Sequence, residues 1–262
     1  MPTVRVLSYN IRSLRDDPEA VARVVRALEP DVVCFQEVPR FMWWRWKRWQ
    51  LARACGLKVA AGRRACGLAV MTGPRMRRVG REFHLLTKVP DLHRRALAIA
   101  ALEVTESGRT ARMIAASTHL DLKDEPRRAH TAELIARLNR ARSRFKAPVV
   151  LTGDINEEPG GDCWDMLQTG FQDAHAVAPA GEPLTFSAAD PQRRIDGVFA
   201  DREVEIIGCG VPIEGVEVAD YPLATDHRPV LAELRLPVGD TSAAFAVRRP
   251  SRQARPSRPR KP

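Results

Sequence analysis

Two polar residues at the end of an apolar run are the first that could do chemistry. The stretch 149–159 reads V-V-L-T-G-D-I-N-E-E-P, so Gly153 ends a β-branched run and presents Asp154 and Asn156. At i and i+2 on an extended chain, these two side chains point to the same side. The carboxylate of Asp154 can hold a proton or a water, and the amide of Asn156 can donate to an oxyanion. Taken alone, Gly-Asp-x-Asn is equally consistent with an ordinary polar turn.

Other polar side chains occupy the same kind of position along the sequence. Each lies at the end or at the head of a predicted strand, and ligands gather at strand ends in layered α/β proteins. We therefore predict one shared site. The further residues in this set are Asn10, Glu37, His119, Asp196, Asp226 and His227.

The composition of this set indicates the chemistry. Carboxylates and amides without clustered cysteines favour a hard ion such as Mg²⁺ or Mn²⁺, with waters and substrate oxygens completing its shell. Two histidines add proton-carrying or cationic donors close to that ion. The set is typical of a phosphoryl-transfer site, in which a carboxylate prepares the attacking water.

The elements that position these residues can be predicted from periodicity. Residues 4–9 alternate as a strand, Asp17-Pro18 begins a helix that stops before Pro30, and residues 31–36 form the next strand. Pro126 opens a long helix, on whose exposed part we expect His130. Further strands are predicted at 57–60, 67–72, 77–86, 96–104, 110–117, 149–153, 184–187, 195–200 and 229–236.

Residues 41–49, F-M-W-W-R-W-K-R-W, hold four of the five tryptophans of the chain among three basic residues. On a helical wheel the aromatic residues do not share one stripe. The stretch is consistent with a substrate-facing wall, a contact with a membrane surface, or a half-buried helix.

Composition sets limits on the class of protein. A hydrophobic content of 44% and a charged content of 28% are typical of a soluble globular protein. The sequence has no apolar run of about 20 residues, and its first ten residues lack the features of a secretory signal, so we expect a cytoplasmic protein. Five scattered cysteines without a C-x-x-C pair predict buried reduced thiols.

The positive charge of the chain is concentrated at its end. The formal net charge is +10, and seven basic residues with no acid among them lie between Arg248 and Lys261, which leaves +3 for residues 1–247. We predict a folded domain at 1–240 and a basic, disordered Arg/Pro-rich tail at 241–262 that contacts polyanions. We expect the protein to be a monomer.

Six short motifs, in order, resemble the signature blocks of the endonuclease/exonuclease/phosphatase superfamily. The resemblance extends over about residues 4–236, and six blocks at sensible spacing are far more specific than one. It implies a four-layered α/β sandwich of the deoxyribonuclease I-like type, with two mixed sheets packed face to face and helices outside; periodicity alone gives only α/β with mixed strands. The motifs are N-I-R (10–12), Q-E (36–37), T-H-L-D (118–121), G-D-I-N (153–156), R-I-D (194–196) and T-D-H-R-P-V (225–230).

The resemblance also implies a role for each site residue. Glu37 matches the metal-binding glutamate of the family, with Asn10 and Asp226 near the same ion. Asp154 matches the residue that orients or deprotonates water, and Asn156 the one that stabilises the transition state. His227 matches the histidine that donates to the scissile phosphate, and Asp196 matches the residue that holds the His227 ring. His119 falls at the position of a second histidine that contacts the phosphate.

The implied function is hydrolysis of a phosphodiester or phosphomonoester by in-line attack of an activated water, with Mg²⁺ or Mn²⁺. A histidine at position 119 favours the deoxyribonuclease-like and phosphatase-like branches over the abasic-site branch. A nuclease-like activity on nucleic acid is favoured. Two alternatives stay open: a phosphatase or phospholipase C-type enzyme acting on inositol phosphates or sphingomyelin, and a non-catalytic nucleic-acid-binding protein.

Overall fold

The computed structural model describes residues 1–238, so the tail predicted at 241–262 lies outside the described residues. Within them the chain forms two six-stranded sheets and six helices. The strands are β1 (Thr3–Asn10), β2 (Val32–Gln36), β3 (Lys58–Gly62), β4 (Ala69–Thr72), β5 (Met76–Leu85), β6 (Ala96–Glu106), β7 (Arg109–His119), β8 (Val149–Asp154), β9 (Gln172–Asp173), β10 (Asp196–Ala200), β11 (Glu205–Gly210) and β12 (Val230–Arg235). The helices are α1 (Pro18–Ala27), α2 (Trp44–Ala54), α3 (Asp124–Phe145), α4 (Asp162–Gln168), α5 (Ala174–Val177) and α6 (Asp220–Ala224).

Both sheets are mixed, and each has one parallel pair of strands at its centre. The first sheet has the order β11-β12-β1-β2-β4-β3, in which β1 and β2 are parallel and β12 is antiparallel to β1. The second has the order β5-β6-β7-β8-β10-β9, in which β7 and β8 are parallel and β10 is antiparallel to β8. The first sheet therefore contains both the first and the last strand of the described chain.

Alternation of buried side chains along the strands produces four layers. In β1, Val6 faces the core between the sheets while Leu7 packs toward α1, α2 and α6. In β6, Ala98 faces the same central core while Ile99 packs toward α3 and α4, where Trp164 is fully buried. Since successive side chains of a strand point to opposite faces, both faces of each sheet are covered. The four-layered α/β sandwich is confirmed.

Local signals explain the start of α1. The side chain of Asp17 accepts a hydrogen bond from the backbone N–H of Glu19 at 2.8 Å, and Pro18 occupies the first helical position. Such a cap satisfies one of the free N–H groups at a helix start, and proline there has no N–H to lose. The helix that was predicted from Asp17-Pro18 is confirmed.

The tryptophan-rich stretch forms a helix, α2, that is buried on one side only. The guanidinium of Arg48 lies inside, donating to the backbone carbonyls of Pro39, Arg63 and Leu68 at 2.9–3.3 Å. It also lies 4.9 Å from the ring of Trp44. These contacts fix one face of the helix, and its opposite face stays exposed.

Three expectations about local structure were wrong. Residues 184–187 do not form a strand, because Phe186 makes only isolated bridges, with Arg193 and His227. His130 is buried rather than exposed, because its Nε2–H donates to the carbonyl of Thr87 at 2.8 Å across the loop after β5. The long helix begins at Asp124, two residues before the predicted Pro126.

Among the described residues, no helix combines the length and the apolar character that crossing a membrane requires.

Candidate active site

The first sheet brings its polar residues to one edge. Asn10 ends β1 and Glu37 directly follows β2, and these two strands are parallel. Asp226 and His227 precede β12, which runs antiparallel to β1, so the start of β12 lies at that same edge. Strand direction alone therefore collects residues from the beginning and the end of the fold.

The second sheet also brings three polar residues together at one of its edges. His119 and Asp154 are the last residues of the parallel strands β7 and β8 and are register partners. Asp196 begins the antiparallel strand β10 and lies opposite Asp154. Gly153 permits this close approach, because a Cβ at that position would lie 2.4 Å from the backbone oxygen of Thr118.

The amide of Asn10 joins the two halves of the site. Its Nδ2–H donates to Oδ2 of Asp154 at 3.0 Å and to Oε1 of Glu37 at 3.4 Å. Its Oδ1 accepts from the backbone N–H of Arg12 at 3.1 Å, which orients the amide. Asn10 is buried, so it links a carboxylate of each sheet without exposure to bulk water.

His227 and Asp196 form a buried pair. Nδ1–H of His227 donates to Oδ2 of Asp196 at 2.8 Å, and the Phe186 ring lies 5.0 Å from the imidazole. Burial opposes protonation, but the charges of Asp196, Asp154 and Asp226 outweigh it and raise the pKa of His227 to about 10. His227 is therefore an imidazolium at neutral pH, with Nε2–H available to a substrate oxygen or to the nearby Asp154.

His119, in contrast, is uncharged at neutral pH. Burial lowers the pKa of His119 to about 4, and the positive charges of Arg95 and His227 act in the same direction. Its Nε2 lies 3.5 Å from Oδ2 of Asp154, whose own pKa is raised by burial and by Asp196. Titratable groups whose surroundings push their pKa values apart are typical of acid and base roles in catalysis.

Asn156 lies beside Asp154 in a conformation that few residues adopt. Its φ is +57°, and its backbone N–H donates to Oδ1 of Asp154 at 3.1 Å. Its side-chain Nδ2–H donates to the carbonyl of Leu120 at 3.0 Å. Asparagine adopts the left-handed region more readily than most non-glycine residues, and such conformations cluster at functional sites.

Glu37 is the site carboxylate that reaches furthest toward solvent. Its φ is +52°, its carbonyl accepts from the backbone N–H of Ser13 at 2.7 Å, and its side chain is 37% exposed. Oε1 lies 3.4 Å from the Asn10 amide and 3.9 Å from Nδ1 of His119. The backbone is held in place while the carboxylate faces the cleft.

The oxygen-rich donor set fits a hard divalent cation. Glu37 presents carboxylate oxygens to the cleft, and Oδ1 of Asp196 is buried without a hydrogen-bond partner among residues 1–238. Asp154, Asp196 and His227 also offer ligand atoms within 4.8 Å of one another. Nδ1–H of His227 already donates to Asp196, so Glu37, whose carboxylate faces the cleft, is the better centre for an ion.

Asp226 is less closely tied to the cluster than the other predicted residues. Its Oδ2 lies 3.4 Å from Nε of Arg12, and its Oδ1 accepts from the hydroxyl of Thr225 at 3.2 Å. Arg12 donates its backbone N–H to Asn10, so Asp226 reaches the cluster through Arg12. Its place as a metal ligand stays a prediction.

The site opens into a cleft of about 390 Å³ with a cationic rim. Glu37, His119, Asp154, Asn156 and His227 line it, whereas Asn10 and Asp196 lie buried behind them. The rim carries Arg15, Arg40, Arg94 and Arg193.

No motif in the sequence predicted this rim. Arg15, Arg40, Arg94 and Arg193 come from four separate loops, and only the fold reveals their convergence. A rim of this kind attracts phosphate groups without reading sequence. The hint in the sequence was that no acidic residue follows Arg40 until Glu82.

Sequence reasoning also missed the polar bridge behind the site. Nε2–H of Gln36 donates to Oγ of Ser117 at 3.1 Å, and the hydroxyl of Ser117 donates to the carbonyl of Phe35 at 3.2 Å. Gln36 precedes Glu37 and Ser117 lies two residues before His119, so the bridge joins the sheets next to both. Because all of it is buried, the bridge fixes the spacing between the two halves of the site.

Comparisons with known proteins agree with this fold. The sequence model of the family described as "Endonuclease/Exonuclease/phosphatase family" matches residues 7–227 of this chain. No curated protein sequence gave a significant match.

Solved structures with similar folds share little sequence with this chain. An endonuclease/exonuclease/phosphatase from Bacteroides vulgatus is 22% identical, with a TM-score of 0.75 over 90% of this chain and 100% of that one. A mannosyl-6-phosphatase of Bacteroides thetaiotaomicron is 18% identical, with a TM-score of 0.74 over 89% of this chain and 100% of that one. The human Nocturnin catalytic domain is 18% identical, with a TM-score of 0.68 over 90% of this chain and 95% of that one.

Proposed function

The chain belongs to the endonuclease/exonuclease/phosphatase family, and from this we propose that it is a divalent-metal-dependent phosphodiesterase acting on nucleic acid. Members of this family are hydrolases that act on phosphoester bonds. The observation that carries the proposal is the contact of Asp154 with Asn10 and both histidines across the two sheets. It brings together a base, a cationic donor and neutral donors at one cleft.

Each residue has a role in this reaction. Asp154 orients the attacking water and takes its proton, because its carboxylate is buried and held by Asn10. His227 donates from Nε2 to a non-bridging phosphate oxygen while Asp196 holds its ring. The other donors act on the same phosphate: neutral His119 contacts an oxygen, and Asn156 stabilises the charge that develops in the transition state.

Glu37, Asn10 and Asp226 are the residues that would hold Mg²⁺ or Mn²⁺ in this proposal. A bound divalent ion supplies Lewis-acid stabilisation of the phosphate charge. The chain itself supplies the orientation: the Asn10 amide keeps the carboxylates of Glu37 and Asp154 a fixed distance apart. The electrostatic work at the phosphate oxygens is then shared with the imidazolium of His227.

The cationic rim favours a polyanionic substrate over a small monoester. Arg15, Arg40 and Arg94 line the cleft but lie beyond the catalytic residues, where further phosphates of a nucleic-acid chain would pass. A small phosphomonoester would leave these side chains without a partner. This supports a nuclease-like activity above hydrolysis of a sugar phosphate.

A substrate panel tests the proposal. The purified full chain is assayed with plasmid DNA, RNA, bis(p-nitrophenyl) phosphate, inositol phosphates and sphingomyelin, each with Mg²⁺, Mn²⁺ or a chelator. We expect metal-dependent cleavage of nucleic acid and of the small diester. Binding of nucleic acid without any turnover in the panel would instead favour a non-catalytic nucleic-acid-binding protein.

Point variants test the roles. Glu37→Ala, Asp154→Ala and His227→Ala should each abolish turnover while the fold survives, whereas Glu214→Ala, an exposed acid distant from the cleft, should keep full activity. Full Mg²⁺-dependent activity in any of the first three variants would sink the assignment.

A further inference from the structure

The segment that includes α2 is rich in basic residues and contains no acidic residue. Residues 38–81 contain twelve Lys or Arg residues and no Asp or Glu. Within residues 1–238, the charged groups of Arg40, Arg45, Lys47 and Arg53 have no carboxylate partner at ion-pair distance. An uncompensated surface of this kind attracts polyanions.

Exposed tryptophans lie among these charges. Trp46 and Trp49 are 53% and 54% exposed, and their spacing of three residues places both rings on one face of α2. Arg53 follows Trp49 by four residues, with its guanidinium carbon 5.6 Å from the Trp49 ring. Large aromatic side chains left in water beside unpaired cations indicate a binding surface rather than a solvated face.

This surface continues from the catalytic cleft. Arg40 and Phe41, just before α2, line the cleft. Trp46 and Trp49 line a second depression of about 640 Å³ between α1 and α2, and Ser13 lines both this depression and the cleft. A chain that crosses the cleft can therefore extend over Ser13 onto the tryptophans without leaving the surface.

The distribution of side chains on α2 decides the class of partner. A helix that lies on a membrane separates an apolar face from a charged face. On α2 the exposed arc instead interleaves the two kinds, with Arg53 between Trp46 and Trp49 and with Arg45 and Lys47 at its margins. Stacking aromatics alternating with cations are typical of surfaces that bind single-stranded nucleic acid.

We propose that Trp46, Trp49 and Arg53 form a docking surface for single-stranded nucleic acid that extends from the catalytic cleft. The inference rests on the proposed function, and it specifies the strandedness of the substrate. Trp46 and Trp49 stack on unpaired bases, and Arg53 neutralises a phosphate. A duplex keeps its bases stacked inside and offers this surface only its phosphates, so it gains nothing from the tryptophans.

Equilibrium binding tests the proposal without turnover. The full chain is titrated, in EDTA and about 0.15 M salt, against a fluorescein-labelled single-stranded oligonucleotide and against its duplex, with anisotropy as the readout. Trp46→Ala/Trp49→Ala should weaken single-strand binding at least about tenfold and duplex binding less than about twofold. Trp46→Phe/Trp49→Phe should retain most of the single-strand affinity, because an aromatic face remains.

Arginine variants separate charge from stacking. Arg53→Ala should weaken binding of both forms by several-fold, because each loses a phosphate contact. Arg109→Ala is the matched control: Arg109 is exposed and begins the strand that His119 ends, about 33 Å from the cleft. It should leave both affinities within about twofold.

Three results would overturn the docking surface. The first is that the double alanine variant binds the single strand as tightly as the parent does. The second is that this variant loses affinity for the duplex and for the single strand equally. The third is that it loses binding to anionic lipid vesicles while its single-strand binding stays intact. Hydrolysis of bis(p-nitrophenyl) phosphate with Mg²⁺ judges the proposed function separately, and the double alanine variant should keep it. If the parent chain cleaves no substrate, the proposed function fails while the binding data still decide the surface.

Discussion

Replacing Gly153 with alanine would force apart the two strands that carry His119 and Asp154. The added Cβ would lie 2.4 Å from the carbonyl oxygen of Thr118 and 2.8 Å from its Cγ2. The oxygen belongs to the backbone of β7, so it cannot turn away as a long side chain would. Ordinary contact begins at 3.4 Å, so β8 must move by about 1 Å relative to β7.

The expected cost can be worked out for both stability and turnover. Overpacking of a filled site costs about 1–3 kcal/mol. In a domain of this size each kcal/mol lowers the melting temperature by about 2–4 °C, so Gly153→Ala should melt roughly 2–12 °C lower. A displacement of about 1 Å at Asp154, the next residue, should reduce kcat by about 10²-fold.

Thermal melting and steady-state hydrolysis of bis(p-nitrophenyl) phosphate measure the two effects. Gly170→Ala is the matched control, because a Cβ at that position would have no neighbour within 4 Å and its φ is not left-handed. We expect it to melt within about 1 °C of the parent and to turn over normally. If Gly153→Ala behaves like Gly170→Ala in both assays, the packing argument is wrong.

Three further predictions follow from charges. Asp196→Asn removes a cause of the raised pKa of His227, so the alkaline loss of activity, expected near pH 10 in the parent, should move to lower pH. The kcat at neutral pH should fall by about 10²-fold or more. Superimposable pH–rate profiles of the variant and the parent would contradict this. Arg23 holds the pKa of Asp220 below its ordinary value, so the pair stabilises the fold above about pH 4 and this stability is lost as the pH falls through the lowered pKa. Asp220→Asn should therefore lower the melting temperature at pH 7 by more than at acidic pH, and a difference that does not vary with pH would refute the assignment. Deleting residues 241–262 removes seven basic residues and should weaken nucleic-acid binding and flatten its salt dependence, whereas an unchanged salt slope would show that the tail makes no such contact.

Elements with strong local signals could be predicted from the sequence. The Asp17-Pro18 cap and the β-branched run of β8 depend on near neighbours in the chain, so periodicity and capping residues suffice. Strand β11 escaped prediction because its E-I-I-G-C-G sequence is short, contains two glycines and is ordered chiefly by pairing with β12. The burial of His130 likewise depends on a loop 43 residues away.

The same distinction applies to the site. Its residues could be predicted because polar side chains after buried strands stand out, and the structure gathers seven of the eight into one network, with Asp226 attached through Arg12. Their contacts could not be predicted. Asn10 and Asp154 are 144 residues apart, and nothing near either residue indicates that an amide holds the two halves together.

The position of β12 beside β1 has a consequence for the order in which the molecule becomes active. A ribosome makes β1 first, yet the antiparallel partner of β1 is the last strand of the described chain. Asn10 is therefore complete 217 residues before His227, its neighbour in the site. Since long-range pairings form only after both partners exist, a growing or truncated chain that stops before Val230 can pair β1 with β2 but lacks β12, the strand that holds His227 beside Asn10. Under the proposed function, such a chain does not hydrolyse nucleic acid, including the message from which it is being translated.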